Sequence, residues 1–385
     1  MIYLDNASTT QVNSEFRDLI DKYLFDNYGN ASSLHSFGAE SKQAINVARE
    51  QIAKSFSTSK ENIIFTSCGS EANTLAIVGL ANHLKSLNLN HIITTKYEHH
   101  SVLNAMKEME RRGFEVTYLD VPNGLVRYDD FVAAVRKNTG LVSIMYVNNE
   151  LGTRNDIKSI YEFCKSREIL FHSDCVQAVC TEAIELGKTA DMISVSGHKI
   201  HAPKGIGCLC TLHKDFLSNI IFGGQQEYGI RPGTENVSNI AAFGKAVQLL
   251  TETKGMITTR IDMVSLVFGG RLLRLSEELG FKFECNTPTP YKSSKILSIR
   301  FPCVDAETLV LMLGAKGVCV SAGSACDSHS AKPSHVLKAI GLTDEEARST
   351  IRISFSDYTT VEEVIDAADI IAECVNSLTG MEEHN

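Results

Sequence analysis

Residues able to do chemistry recur at one kind of place in this chain, just after short apolar runs. Gly69, Ser70 and Glu71 follow NIIFTSC (62–68), Glu98, His99 and His100 follow HIITTK (91–96), and Asn148, Asn149 and Glu150 close or follow LVSIMYVNN (141–149). Asp174 lies near the end of ILFHSDC (169–175) with Gln177 three residues on, and Ser196, His198 and Lys199 close or follow MISVSG (192–197). Each has an ordinary reading beside a functional one. A Gly-Ser turn opening a helix offers N–H groups and a hydroxyl to an anion, or is simply an N-cap. His99 and Asn149 fit caps and turns equally well. A carboxylate inside an apolar strand end is costly unless it is paired, so Asp174 calls for an arginine or for a protonated ring nitrogen. Lys199 is a solvated lysine or, with its pKa lowered by its surroundings, a group able to form a Schiff base. Cys326, within SAGSACDSHS (321–330), is a nucleophile on a flexible stretch or one more thiol among eleven cysteines.

The elements that must position these residues alternate. NIIFTSC, HIITTK, EVTYLD (115–120), LVSIMYVNN, ILFHSDC, MISVSG and GCLCTL (207–212) read as strands, and 71–87, 101–112 and 156–166 read as intervening helices. Apolar spacing at Ile45, Ala48, Ile52 and Phe56 predicts a further helix over 37–56. This alternation predicts an α/β fold with a large, mostly parallel sheet covered by helices. In such sheets ligands bind beyond the carboxyl ends of the strands, where the polar residues fall. The last third differs: a helix over 256–279, strands at 296–302, 318–323 and 350–356, and helices at 305–315 and 361–378 predict a smaller α+β unit, with the boundary near residue 255.

Composition narrows the class. The chain has 385 residues, is 43% hydrophobic and carries a net charge of −9 without a basic block, which disfavours direct nucleic-acid binding. No apolar run reaches membrane-spanning length and the first residues lack the pattern of a signal peptide, so a cytoplasmic protein is expected. The cysteines form no CxxC pair or zinc-type array, so no intrinsic metal is expected. Cys164, Cys180, Cys208, Cys210, Cys285, Cys303, Cys319 and Cys374 read as small buried hydrophobes.

A phosphate turn, a histidine able to stack on a ring, an amide, a buried Asp and a lysine at the ends of successive strands together make the inventory for holding pyridoxal 5′-phosphate. In keeping with it, the chain resembles the class V, fold-type I pyridoxal-phosphate enzymes, and within them the NifS/IscS-type cysteine desulfurases. The resemblance rests on YLDNASTT (3–10), GNASSLHSFG (29–38), FTSCGSEAN (65–73), EHHSVL (98–103), VNNELGT (147–153), HSDCVQAV (172–179), SVSGHKIHAPKGIG (194–207), RPGTENV (231–237), SAGSACDS (321–328) and STIRISFS (349–356). It implies a large domain over 14–254 with a mostly parallel seven-stranded sheet, and a small domain from 1–13 and 255–385 carrying the cysteine loop at about 322–333.

The same resemblance implies the roles. Lys199 would bond to the cofactor, His99 would stack on its ring and move protons, Asp174 would face the ring nitrogen, and Gln177 would reach the phenolic oxygen. Gly69, Ser70, Ser196 and His198 would hold the phosphate, with Thr234 reaching it across a homodimer interface. Asn149 would touch cofactor or substrate, Arg352 the substrate α-carboxylate, and Asn30 would border the site. L-Cysteine would become L-alanine, its sulfur left as a persulfide on Cys326 for an acceptor, either an iron–sulfur scaffold or a tRNA-thiolation enzyme, with Cys326 a transient iron–sulfur ligand. A selenocysteine lyase, another class V aminotransferase and a non-catalytic homologue that only binds a partner are the alternatives. Asp327, Cys68 and Cys175 depart from the family pattern. A carboxylate beside Cys326 disfavours its thiolate, and His329, Lys332 and His335 are placed to offset it; Cys68 and Cys175 are expected to border the cofactor pocket.

Overall fold

The structure, a computed structural model, describes residues 1–286, 291–323 and 333–382, the side chains of 380–382 excepted. Seven strands form one sheet in the order Ile63–Thr66, Gly207–Thr211, Met192–Ser196, Leu170–Asp174, Thr139–Ser143, His91–Thr95, Glu115–Leu119. Gly207–Thr211 runs antiparallel to both neighbours and the remaining pairs are parallel. The exception follows from chain length: only residues 197–206 separate it from Met192–Ser196, too few for a crossover back to a parallel strand. Six of the seven strands are buried along nearly their whole length, which is why they read as continuous apolar runs rather than as alternating ones. One face packs against Ser36–Ser55 and the first half of Val237–Leu279, the other against Gly69–Val78, Ala81–Ser86 and His100–Arg111.

A second apolar cluster gathers Leu4, the second half of Val237–Leu279, and residues from Phe281 to Val375. It covers an antiparallel sheet of Thr350–Ser354, Ile296–Arg300 and Glu284–Cys285, beside Ile2–Tyr3 paired with Val318–Cys319. The chain's first residues are tied in by Leu4 N–H donating to the Cys319 carbonyl (2.9 Å) and Ser354 N–H donating to that of Leu4 (2.7 Å).

Several elements differ from expectation. The helix expected to begin at 256 is the second half of a 43-residue helix, Val237–Leu279, which Gly280 ends in the left-handed conformation. Its buried residues serve the first cluster up to Leu250 and the second from Ile261. The helix expected over 71–87 is two, Gly69–Val78 and Ala81–Ser86, because the Gly79 carbonyl turns aside to accept the Ser218 N–H (2.8 Å). The strand expected over 141–149 ends at Ser143; further on, the Asn148 carboxamide oxygen accepts the Glu150 and Leu151 N–H groups, each at 2.9 Å, and turns the chain. Cys285 and Cys303 are exposed rather than buried: the first sits on an edge strand, the second in a turn at φ 65°.

Candidate active site

The carboxyl ends of the parallel strands open into a cavity of about 190 Å³. Its walls include Gly69, Ser70, His99, Asn149, Asp174, Gln177, Ser196, His198, Lys199 and Arg352, so ten of the thirteen expected site residues converge on one space.

Asp174 ends its strand only 5% exposed. Asn73 Nδ2 donates to Oδ2 at 2.7 Å and Val176 N–H to Oδ1 at 2.9 Å. Both donors are neutral, and no cation of the described residues lies within ion-pair distance. The other Asn73 donor goes to Ser101 Oγ (2.9 Å), which lies 2.7 Å from His99 Nδ1. Asn73 therefore links Asp174 to His99, a role the sequence reading missed. Its spacing was a usable signal: four residues after Gly69, it lies one helical turn above the turn expected to hold phosphate.

Gly69 lets the backbone approach closely, since a Cβ there would lie 2.9 Å from Val176 Cγ2 and 3.2 Å from Ser196 Cβ. Ser196 Oγ, Gln177 Oε1 and Asn149 Oδ1 are buried with no hydrogen-bond partner among the described residues. Buried polar atoms left unmatched by protein groups are what a site for a polar group presents. Lys199 sits in the turn Gly197–Lys199, with Nζ donating to the Ala7 (2.5 Å) and Ser8 (2.6 Å) carbonyls. Beside it, His198 Nδ1 meets Thr9 Oγ1 (3.1 Å). Burial, with the charges of Lys199, Lys204 and Lys295, holds the His198 imidazole down to about 4. At neutral pH it offers a hydrogen bond rather than a charge. These groups fit pyridoxal 5′-phosphate: an amine, a carboxylate for a protonated ring nitrogen, and hydroxyl, imidazole and helix N–H groups for a phosphate.

Arg352 is 2% exposed. Its guanidinium donates to Asp5 Oδ1 (2.9 Å), Ser8 Oγ (2.5 Å) and the Asn149 carbonyl (2.9 Å). Asp5 and Ser8 had not been singled out; they come from the far end of the chain. Ser321 also donates to Asp5 Oδ1 (2.9 Å), which sets the Arg352 cluster next to the segment leading toward Cys326.

Below the cavity, Glu98 is fully buried, accepting from Thr95 Oγ1 (2.8 Å) and Met145 N–H (2.9 Å). Burial pushes its carboxyl up to about 8, with the Asp174 charge adding to the effect. The Glu98 carbonyl meets His335 Nε2 at 2.9 Å, and the His335 ring packs on His100, centroids 4.4 Å apart. Lys295, 1% exposed, is a further group the sequence reading missed: its Nζ lies 3.4 Å from Cys180 Sγ and 3.5 Å from the Lys199 carbonyl.

Of the remaining expected site residues, Asn30 and Thr234 stand elsewhere and Cys326 is not among the described residues. Asn30 is exposed and outside the cavity; its side chain accepts the Ser32 N–H (2.9 Å) and shapes a loop. Thr234 is exposed and does not line this chain's own cavity. Cys326 lies outside the described residues, as do Asp327, His329 and Lys332. Cys68 lines the cavity, but Cys175 does not: it is fully buried in the first core, because successive side chains at a strand end point to opposite faces. Among the described residues no His, Cys, Asp or Glu cluster is arranged to hold a metal, and no helix is long and apolar enough to cross a membrane.

Comparison with known proteins agrees with this geometry. The aminotransferase class-V family model matches residues 2–366. A putative cysteine desulfurase IscS from Bacillus subtilis is 40% identical over 381 residues, covering 98% of this chain and 99% of the relative. A solved NifS-like protein superposes with a TM-score of 0.88 at 32% identity, covering 97% of this chain and 98% of that one. A structure named SspA in complex with cysteine gives 0.79 at 33%, covering 94% and 100%. The fold is that of the fold-type I pyridoxal-phosphate transferases. The chain belongs to the class V aminotransferase family and, within it, to the NifS/IscS-type cysteine desulfurases.

Proposed function

We propose that this protein is a pyridoxal-phosphate-dependent cysteine desulfurase that converts L-cysteine to L-alanine and hands the sulfur, as a persulfide on Cys326, to an acceptor protein. The observation that carries the reading is the buried Asp174 carboxylate, which has only neutral donors of its own and lines the same cavity as Lys199.

In this reading Lys199 bonds the cofactor, Asp174 faces its ring nitrogen and Gln177 its phenolic oxygen. Gly69, Ser70, Ser196 and His198 hold the phosphate, joined by Thr234 from the second subunit of a homodimer. When bound, the cofactor withdraws electrons from the substrate Cα and makes its proton acidic. Arg352 clamps the α-carboxylate, and Asn149 fixes the substrate's orientation beside it. Lys199 and His99 are the groups placed to take the Cα proton and return it. The Cys326 thiolate attacks the substrate sulfur: an S–S bond forms, the Cβ–S bond breaks, and its electron pair stays with the carbon skeleton, which is reprotonated to alanine. The acceptor is an iron–sulfur scaffold or a tRNA-thiolation enzyme. We place the protein in the cytoplasm, and its domain division at 1–13 plus 255–385 against 14–254; the two separate apolar clusters support that division.

The test is a holoenzyme assay. The purified protein is expected to be yellow, borohydride to fix the cofactor to Lys199, and cysteine to give alanine and, with excess dithiothreitol present to reduce the persulfide, sulfide in equal amounts. A colourless protein, or pyruvate in place of alanine, would overturn the reading.

A further inference from the structure

The second half of helix Val237–Leu279 is apolar on two faces. Ile261, Val264, Phe268, Leu272 and Leu275 are buried in the second core. Met256, Met263, Leu266 and Leu273 are 68%, 48%, 77% and 54% exposed. With ~100° of rotation per residue, the two sets point about 180° apart. Scattered exposed hydrophobics are ordinary on any surface, but these four are spaced by intervals that alternate seven and three, the spacing of a coiled-coil seam. Thr259 and Gly270 take the remaining seam positions and are also exposed. A side chain built at Gly269 or Gly270 would meet nothing within 4 Å, so this side of the helix is open to a close approach. None of the seam residues lines the active-site cavity.

Charge indicates what the seam fits. Arg260 and Arg274 flank it on one side, and neither has a carboxylate within ion-pair distance among the described residues. Arg271, further round the same side, is paired with Asp369 at 2.6 Å. Two unpaired arginines beside an apolar stripe complement an amphipathic helix with acidic residues on its flank. A second copy of this chain fits less well. Antiparallel pairing sets the flank Arg260, Val267, Arg274 against itself, and parallel pairing sets Asp262 against Val267, so neither makes an ion pair. An anionic lipid surface is also disfavoured, because the chain's net charge is −9 and Asp262, Glu277 and Glu278 lie on the same helix.

We propose that the outward face of residues 256–274 is a docking site for an amphipathic helix of another protein, with apolar residues at heptad spacing filling the seam and Asp or Glu beside Arg260 and Arg274. The site lies apart from the catalytic cavity, so the proposal does not depend on the chemistry assigned there.

The experiment titrates the full-length holoenzyme with two labelled peptides of about three heptads, both with Leu at the seam positions. One carries Glu at the flanking positions and the other Lys. The acidic peptide is expected to bind at least tenfold more tightly than the basic one, with the difference shrinking as salt rises. Leu266→Glu is expected to weaken it at least tenfold while leaving cofactor absorbance and sedimentation unchanged, and Arg260→Glu with Arg274→Glu to reverse the preference. Equal binding of the two peptides, or indifference to Leu266→Glu, would overturn the proposal. So would a smaller sedimenting species in Leu266→Glu, which would assign the face to a second copy, or Leu266-dependent binding to phosphatidylserine vesicles, which would assign it to a membrane.

Discussion

Asp174 and Arg352 line one cavity, carry opposite charges and are both nearly buried, but the fold treats them differently. Arg352 already has its charge balanced within the chain: Asp5 pairs with it, and Ser8 and the Asn149 carbonyl take further donors, while its Nε has no hydrogen-bond partner among the described residues. Asp174 receives two neutral donors and no cation. With Arg352 proposed to bind the substrate carboxylate and Asp174 to face the cofactor's ring nitrogen, the difference matches how long each partner stays. A substrate comes and goes, so the group that binds its carboxylate needs a resting partner that the substrate can compete with. A cofactor remains, so the carboxylate facing its ring nitrogen can leave its charge for the cofactor to balance, and a standing protein cation there would compete with the cofactor.

Substitutions can break or sharpen that contrast. The largest effect is expected at Asp174→Asn, which keeps the shape and removes the charge: kcat/KM falls about a thousandfold and the cofactor absorbance shifts. A loss below tenfold would mean that Asp174 does not face a protonated nitrogen. Arg352→Gln comes next, with kcat/KM for cysteine down about a hundredfold, mostly in KM, and an unchanged cofactor spectrum; Arg352→Lys recovers only part because it lacks the bidentate fork. If Arg352→Gln altered the spectrum as strongly as Asp174→Asn, the two charges would not have separate partners. Asp5→Asn removes the resting partner of Arg352 and leaves the guanidinium to the substrate, so KM falls by up to about tenfold. A rise in KM would show that Asp5 orients Arg352 rather than competing for it.

How much of this was legible in the sequence depended on chain distance. The sheet and the strand-end residues could be read because buried parallel strands appear as unbroken apolar runs, each closed by its own polar residue. Asp174, Gln177, His99 and Lys199 therefore fell into place without knowledge of their contacts. Asn73 was hidden inside a helical pattern, where an Asn draws no notice. Asp5 and Ser8 were hidden because their partner is more than three hundred residues away, and no local pattern reports such a pairing. Asn30 was carried over with its motif, but here its side chain serves its own loop. The long helix was read from 256 only; in the structure it runs through Gly255 without a break, and a single helical glycine costs only about 1 kcal/mol.

Glu98 follows neither pattern, and its expected effect is the smallest. Burial holds its carboxyl neutral, raised from an ordinary 4.5 to about 8. Its favourable contribution is therefore complete below pH 4.5 and is lost as pH rises through 8. Glu98→Gln keeps an acceptor for Thr95 and Met145 and cannot ionise, so its melting temperature relative to wild type should be unchanged at pH 5 and about 2–4 °C higher at pH 8. An offset that does not vary with pH would show that the carboxyl is not held neutral. The buried His91, His172 and His198 act in the opposite direction. Burial depresses them from 6.5 to about 4, 3 and 4. Their contribution is present above pH 6.5 and lost as pH falls toward 4, so both proteins should lose stability together over that range.

The proposed chemistry needs a thiol to accept the sulfur, and it assigns that role to Cys326. The direct measurement is to incubate the holoenzyme with cysteine and map persulfides by mass spectrometry, in wild type and in Cys326→Ala. The account predicts one persulfide, on Cys326, with alanine formation abolished in the variant. Sulfur on a different cysteine, or alanine formation that survives Cys326→Ala, would contradict it.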